Sequence, residues 1–421
     1  MIDNEQMLKS LNELCSFESV AVHTGDKGYP FGKSVNEALH YVLDLCAGFG
    51  FRTKNCNEIM GWAEIGQGEE LFGILVHLDV VPAGGNWDYP PYAATIANDR
   101  IYGRGVVDDK GPAIASIYAM KDILDSGVPL NKRVRIIFGG SEENGAWDDM
   151  EYYCEHEDLP TYGITPDADF PALFGEKGIF HGTLTMPVEA AGIVDITGGH
   201  ARNIVPDAAC IRLMEEGRVR EYTAVGKSSH GSMPQNGENA IAKLMAKVDC
   251  PLSRIYNDII GDDCYGGRMG IAMEDEPSGK LTLNNGMAYL EEDKVCLTLD
   301  IRYPVTVRFE PIREAVEERI KPYGISLSVE EYMEPLYMDK DCYLIKELMS
   351  VYKEVTARDD EPFIIGGGSY ARAMDNIVAF GPVFPDRENT EHQANENILL
   401  ADFLLLRKIY GEMIKKLCCD N

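Results

Sequence analysis

Positive charge is scarce in this chain. Its 421 residues hold 39 Lys and Arg against 69 Asp and Glu, a formal net charge of −30. That balance argues against nucleic acid as a partner, because phosphate-backbone binding requires a basic face. Long apolar runs are absent too. None approaches the ~18 residues a membrane helix needs, so no membrane partner is expected. The first residues, MIDNEQMLKSLNEL, lack the basic-then-apolar layout of a signal peptide. The expected location is the cytoplasm. The 11 Cys are scattered and include no CxxC pair. An odd, dispersed set describes neither a disulfide framework nor a structural zinc site, so buried free thiols are expected. Internal repeats and low-complexity linkers are missing as well.

What is present has the balance of a globular protein, with 45% hydrophobic and 26% charged residues. The length exceeds one ordinary core and predicts two domains. Residues 4–14 read as a helix. So do residues 34–47, with Ser34 and Glu37 as a capping box and Gly48 as the stop. The nearly continuous apolar runs at 71–76 and 133–138 predict strands buried on both faces. Between them, Pro112 suits the first turn of a helix that runs to about Asp125 and ends at Gly127. This is βαβ logic and predicts a parallel sheet. From about residue 179 the pattern alternates with period 2, as in an antiparallel sheet with one solvated face. The expected fold is therefore α/β. Residues 1–178 and 334–421 form a catalytic domain around a mixed, mostly parallel sheet. Residues 179–333 form an inserted α+β lid with an antiparallel sheet.

The chemistry gathers at strand ends. The run Leu71–Val76 leads into His77 and Asp79, and a Gly-rich turn leads on to Asp108, Asp109 and Lys110. The second buried run leads into Glu142 and Glu143. Singly, these signals are weak. A lone His40, His156 or His181 supports only a packing or surface role, and acidic pairs are common caps. In combination, His77, Asp108, Glu143, Asp167 and His392 each follow a strand. Imidazole and carboxylate suit borderline metals such as zinc. Five ligands exceed one tetrahedral ion and suit two ions sharing a carboxylate.

The segments HLDVVPAG, GRGVVDDKGP, SEENG, TPDADFPALFGEKG, GKSSHGSMPQNGENA, GGGSYARA and EHQANE resemble the dinuclear-zinc dipeptidases of the aminoacylase, carnosinase and carboxypeptidase superfamily. The likeness runs almost end to end and is strongest to the bacterial cytoplasmic dipeptidases, including those that remove β-alanyl residues. It implies that Asp108 bridges two Zn2+ ions, with Co2+ or Mn2+ as alternatives. His77 and Asp167 would complete one ion, Glu143 and His392 the other. Asp108 is chosen over Asp109 because Asp109, Lys110 and Gly111 follow it, and the peptide after it is expected to be cis. Asp79 would orient the His77 ring. Glu142 would be the general base, taking a proton from a metal-bridging water and returning it to the leaving amine. Neighbours on an extended segment point opposite ways, so Glu142 is not expected to be a ligand beside Glu143.

In the lid, the resemblance makes His230 the imidazole that stabilises the oxyanion. Asn203 and Arg302 would hold the substrate, Arg302 through its terminal carboxylate. An ordinary surface arginine is the alternative for Arg302. Ser369 and Arg372, beside the Gly366–Gly368 loop, would approach the substrate end. The implied reaction is metal-dependent hydrolysis of dipeptides with a free C-terminal carboxylate. The alternatives are an N-acyl amino acid deacylase of the same superfamily and a non-catalytic binding protein on this fold. The lid reads as shorter than in the monomeric relatives. A homodimer through the lid, with His230 serving a neighbouring chain, is therefore a partner to test.

Overall fold

A computed structural model describes residues 4–419 and divides them into two compact units. The first holds the residues up to Phe174, Met338–Phe363, and those from Ser369 onward. The second holds Gly175–Tyr337 and Ile364–Gly368. The short stretch Ile364–Gly368, expected with the first unit, thus groups with the second.

The first unit is built on a six-stranded sheet. Its order is Arg52–Cys56, Met60–Gly66, Arg133–Gly139, Leu71–His77, Tyr162–Thr165, Ile377–Ala379. The last four run parallel to one another, while Met60–Gly66 pairs antiparallel with both Arg52–Cys56 and Arg133–Gly139. All seven residues of Leu71–His77 are buried, as the apolar run requires. Arg135 is the charged exception in the next strand. It is buried, its Nε lies 2.8 Å from Glu64 Oε2, and its guanidinium stacks 4.2 Å from the Trp62 ring. The crossover helix Lys110–Ser126 ends at Gly127, whose φ of 67° is the left-handed cap that glycine supplies cheaply. It packs against the helix Leu400–Cys418.

Register sets the site. His77 pairs directly with Gly139, so two parallel strands stop level with each other. Tyr162–Thr165 lies on the other side of Leu71–His77 and ends beside it. Three adjacent strands therefore release Asp79, Glu142 with Glu143, and Asp167 on one rim. Strand C-terminal ends are where α/β sheets expose ligand-binding groups.

The second unit carries a seven-stranded antiparallel sheet, ordered Arg218–Val225, Ala208–Glu215, Asp195–Gly198, Thr282–Glu291, Lys294–Tyr303, Gly178–Pro187, Ser326–Met333. The helices Ala240–Lys247, Pro251–Ile259 and Phe309–Ile320 share one apolar core with it, through Leu244, Tyr256 and Ile312 among others.

Two local expectations fail. The helix Lys33–Gly48 is capped at Gly32 without a side-chain hydrogen bond, so Ser34 and Glu37 form no capping box. Gly48 does not stop it either. The chain closes at Phe49, and Gly50 takes the positive φ of 87°.

Gly139 is required by close packing. A Cβ there would lie 2.0 Å from Tyr370 Oη and 2.6 Å from Asp149 Oδ2. Gly139→Ala is expected to cost about 1–3 kcal/mol as an overpacked core position does. Urea unfolding of the variant against the parent measures it.

Candidate metal centre

Asp108 stands between two imidazoles. Its Oδ1 is 2.8 Å from His77 Nε2 and its Oδ2 is 2.9 Å from His392 Nε2. On the first side, Asp167 Oδ1 lies 3.6 Å from His77 Nε2. On the second, Glu143 Oε2 lies 3.1 Å from His392 Nε2. Ligand atoms of His77, Asp108 and Glu143 all fall within 4.8 Å of one another. The structure thus gathers all five expected ligand residues, and divides them two and two about one carboxylate. The peptide joining Asp108 to Asp109 is cis.

Electrostatics explains what this cluster wants. The carboxylates of Asp108 and Glu143 push His392 up to about 11. Burial works against a charged His77, yet hydrogen bonds from its ring to Asp108, Asp167 and Asp79 hold it well above its usual range. Asp108, between two imidazoles, is held below the usual carboxylate range despite its burial. Glu143 and Asp167 are raised, first by burial and then by Asp108. Carboxylates gathered around two imidazoles make a donor set suited to divalent cations. Glu143 Oε1 is buried without a hydrogen-bond partner among the described residues, so it has an oxygen to give. The nitrogen and oxygen donors are those that Zn2+, Co2+ and Mn2+ accept. The residues fit a metal pair.

Glu142 is half-buried and has a different environment. Burial and the charges of Asp167 and Asp108 raise its carboxyl well above the ordinary value. Residues 142–145 form a turn, and the extended segment assumed from sequence is absent. Glu143 reaches His392, and no such ion pair is found for Glu142 among the described residues.

Asp79 meets His77 Nδ1 mainly through its backbone. The close acceptor for His77 Nδ1 is the Asp79 backbone carbonyl at 3.0 Å, with the carboxylate at 3.5 Å. The carboxylate instead accepts the N–H groups of Glu142 at 3.2 Å and Glu143 at 2.9 Å. It holds the turn that bears Glu142 and Glu143.

Three supporting residues escaped the sequence reading. Asp149 Oδ2 accepts from the N–H groups of Gly140 and Ser141, at 2.6 and 3.0 Å, and from Tyr370 Oη at 2.7 Å. Tyr370 N–H donates to Asp167 Oδ2 at 3.1 Å, and its ring meets that of His77 edge-on. Glu396, wholly buried, accepts from the N–H groups of Gly105 and Val107 and pairs with Arg104 at 2.7 Å. The one available signal was the His392-to-Glu396 spacing. His392 itself has a φ of 59°, a left-handed backbone that is costly for a side chain of its size.

The lid residues lie in the second unit. His230 is exposed, its Nδ1 is 2.7 Å from Ser232 Oγ, and burial together with Arg302 lowers its pKa. Asn203 is exposed and its carbonyl accepts from Gly231 N–H at 2.6 Å. Arg302 is buried, which removes the surface-arginine alternative. Its Nε and Nη2 bond Asp300 at 2.7 and 3.2 Å, and Nη1 bonds the Gly366 carbonyl at 3.0 Å. In the first unit, Ser369 is buried and its Oγ accepts from Ala371 N–H at 3.3 Å, while Arg372 is half-buried in the same short 3-10 turn.

A parallel-sheet rim with paired imidazole and carboxylate sets is the framework of a metal-dependent hydrolase. Residues 73–416 match the model of peptidase family M20/M25/M40, and the chain belongs to that family. It is similar to "Putative dipeptidase YtjP" of Bacillus subtilis (strain 168), 35% identical over 457 positions that cover 98% of this chain and 97% of the relative. Human carnosine dipeptidase 1 shares the fold with a TM-score of 0.66 at 15% identity, covering 98% of this chain and 96% of its own. YXEP of Bacillus subtilis, described as a dinuclear metal-binding peptidase of the M20 family, aligns with a TM-score of 0.55 at 10% identity, over 98% of each chain.

Two outcomes follow. Metal ligation requires neutral imidazoles, so loading the centre should release roughly two protons, one from each histidine, and affinity should rise with pH. Titrations calorimetrically monitored in buffers of different ionisation enthalpy count the protons. Glu396→Gln puts an amide donor among donors and leaves Arg104 without its counter-charge. Metal affinity should fall about 10–100-fold, as for other residues that support ligands, and chelator competition reads it.

Proposed function

We propose that the chain is a dipeptidase acting on dipeptides with a free C-terminal carboxylate. The observation that carries this is Asp108 shared between a His77–Asp167 pair and a His392–Glu143 pair, with Glu142 adjacent. The likeness to curated relatives bearing a dipeptidase name, at 35% identity across 98% of the chain, supports the substrate class. His77, Asp108, Asp167, Glu143 and His392 would hold two metal ions, zinc by preference, with cobalt or manganese as alternatives. When bound, such ions acidify water and polarise an amide carbonyl.

The remaining steps belong to side chains. Glu142 takes a proton from the attacking water and delivers it to the leaving nitrogen. Burial and the neighbouring Asp167 raise its carboxyl above the ordinary value, which favours accepting a proton. Asp79 keeps the Glu142–Glu143 turn in place through two backbone N–H groups. His230 donates to the developing oxyanion, with its Nδ1 anchored by Ser232. Asn203, Arg302, Ser369 and Arg372 bind the substrate, Arg302 through the carboxylate. No spanning helix is found among the described residues, and the cytoplasm is the proposed location.

Glu142→Gln should keep its metal and lose about 10²–10⁴-fold in kcat. A panel of free dipeptides run beside N-acetyl amino acids tests the substrate class. Hydrolysis of the acetylated set alone would replace the dipeptidase reading with a deacylase.

The alignment to the Bacillus relative spans more positions, 457, than this chain has residues, 421, so the relative carries segments this chain lacks. His230 is proposed to serve the centre of a second copy in a homodimer. Mixing inactive His230→Ala with inactive Glu142→Gln should then restore activity in hybrid dimers. A fully active monomer by sedimentation would refute the exchange.

A further inference from the structure

Among the described residues with a positive φ, Trp147 carries the largest side chain. Its φ of 54° and ψ of 26° are left-handed, whereas glycine, asparagine and aspartate hold most of the other such positions. The conformation is costly for a bulky residue and persists where the surroundings over-determine it.

The outlier falls on the segment that carries Glu142. Residues 142–145 turn, and Trp147 N–H closes the segment by donating to the Ser141 carbonyl at 3.1 Å. The Trp147 carbonyl then accepts the N–H groups of Met150 and Glu151, at 3.0 and 3.1 Å, and starts the helix Asp148–His156. These are main-chain roles that any residue could fill, and a glycine would fill them without strain. The ring has to serve something else.

Two contacts say what. The half-buried indole reaches back over the turn, and its Nε1–H donates to the Glu142 carbonyl at 3.3 Å. That carbonyl also accepts Gly145 N–H at 2.8 Å. The ring meets that of Tyr370 edge-on, 5.7 Å between centroids and 70° between planes. Tyr370 is itself fixed, by its hydroxyl to Asp149 and by its N–H to Asp167.

The peptide between Glu142 and Glu143 is thus gripped on both sides. Asp79 Oδ2 takes its N–H at 2.9 Å, and Trp147 and Gly145 take its C=O. The plane of this peptide sets the direction of both carboxylates. Glu143 has a second anchor in His392, at 3.1 Å. No side-chain hydrogen bond or ion pair of the Glu142 carboxylate is found among the described residues, so its aim depends on the main chain.

We propose that Trp147 is a positioning residue for Glu142, its indole holding the peptide that aims the carboxylate at the attacking water. The inference rests on the reading of Glu142 as the general base. Trp147→Phe keeps an aromatic ring beside Tyr370 and removes the N–H. In the metal-loaded protein, kcat on a dipeptide should fall about 5–20-fold, as for a modestly misplaced catalytic group. KM, metal affinity and the thermal midpoint should stay at their parental values. The amides of residues 142–145 should exchange with deuterium about 5–10-fold faster, with the rest of the chain unchanged. Combined with Glu142→Gln, Trp147→Phe should cost no further rate, within about twofold, because the clamp acts only through that carboxylate.

Parental kcat with parental exchange in Trp147→Phe would overturn the inference. So would a loss of metal affinity or thermal midpoint in step with kcat, or the full multiplication of the two losses in the double variant. Each of these leaves the general-base reading standing. Near-parental kcat in Glu142→Gln alone would overturn that reading and the inference with it.

Discussion

The structure depends on an excess of carboxylate held at one end of a parallel sheet. Asp108, Asp167, Glu142 and Glu143 meet where only two imidazoles offer charge in return. Two like charges 4 Å apart repel by about 4 kcal/mol at an effective dielectric of 20. A fold that keeps several so close has to be rigid by other means, and it gains most when divalent cations enter. The same excess raises both imidazoles, and burial together with Asp167 raises the Glu142 carboxyl.

The rigidity comes from a second set of acids that ligate nothing. Asp79, Asp149 and Glu396 are buried and direct their oxygens at backbone N–H groups. Asp79 fixes the turn at Glu142 and Glu143. Asp149 fixes Gly140 and Ser141 just before it. Glu396 fixes the approach to Asp108 and ties it to the loop that carries His392. Glu142, Glu143 and the approach to Asp108 are thus held through the main chain, while Asp167 is held by Tyr370 N–H at its own Oδ2. A buried carboxylate that accepts several N–H bonds is a stable structural pin.

The frame of this rim was legible in the residues. Buried apolar runs ending in His77 and in Glu142–Glu143 announced parallel strands, because only strands covered on both faces read that way. Caps and turns were read less well. The Ser34 capping pattern lost to a helix start at Lys33, and the strand Thr282–Glu291 went unseen because Asn284, Asn285 and Gly286 look like a turn. The pairing there shifts between Asn285 and Ala288, a bulge that accommodates those residues. Asp149 and Tyr370 were invisible for a different reason. They are 221 positions apart, and their partnership exists only once the sheet is folded.

Arg302 shows how far pattern reading reaches and where geometry takes over. Its place on a regular strand made a surface role as natural as a binding one. Burial excludes the first, but burial alone does not make a ligand group. The Nε and Nη2 groups are committed to Asp300 and one Nη1 hydrogen to Gly366, which uses three of the five N–H donors. His181 Nε2 stands 3.4 Å from the same Asp300 carboxylate. Asp300 therefore sets the plane of the guanidinium and removes the rotamer freedom that a flexible arginine would lose on binding. Two N–H groups remain on a guanidinium already held in place. For a planar anion such as a terminal carboxylate, a fork held in advance costs less to order than one that must be caught.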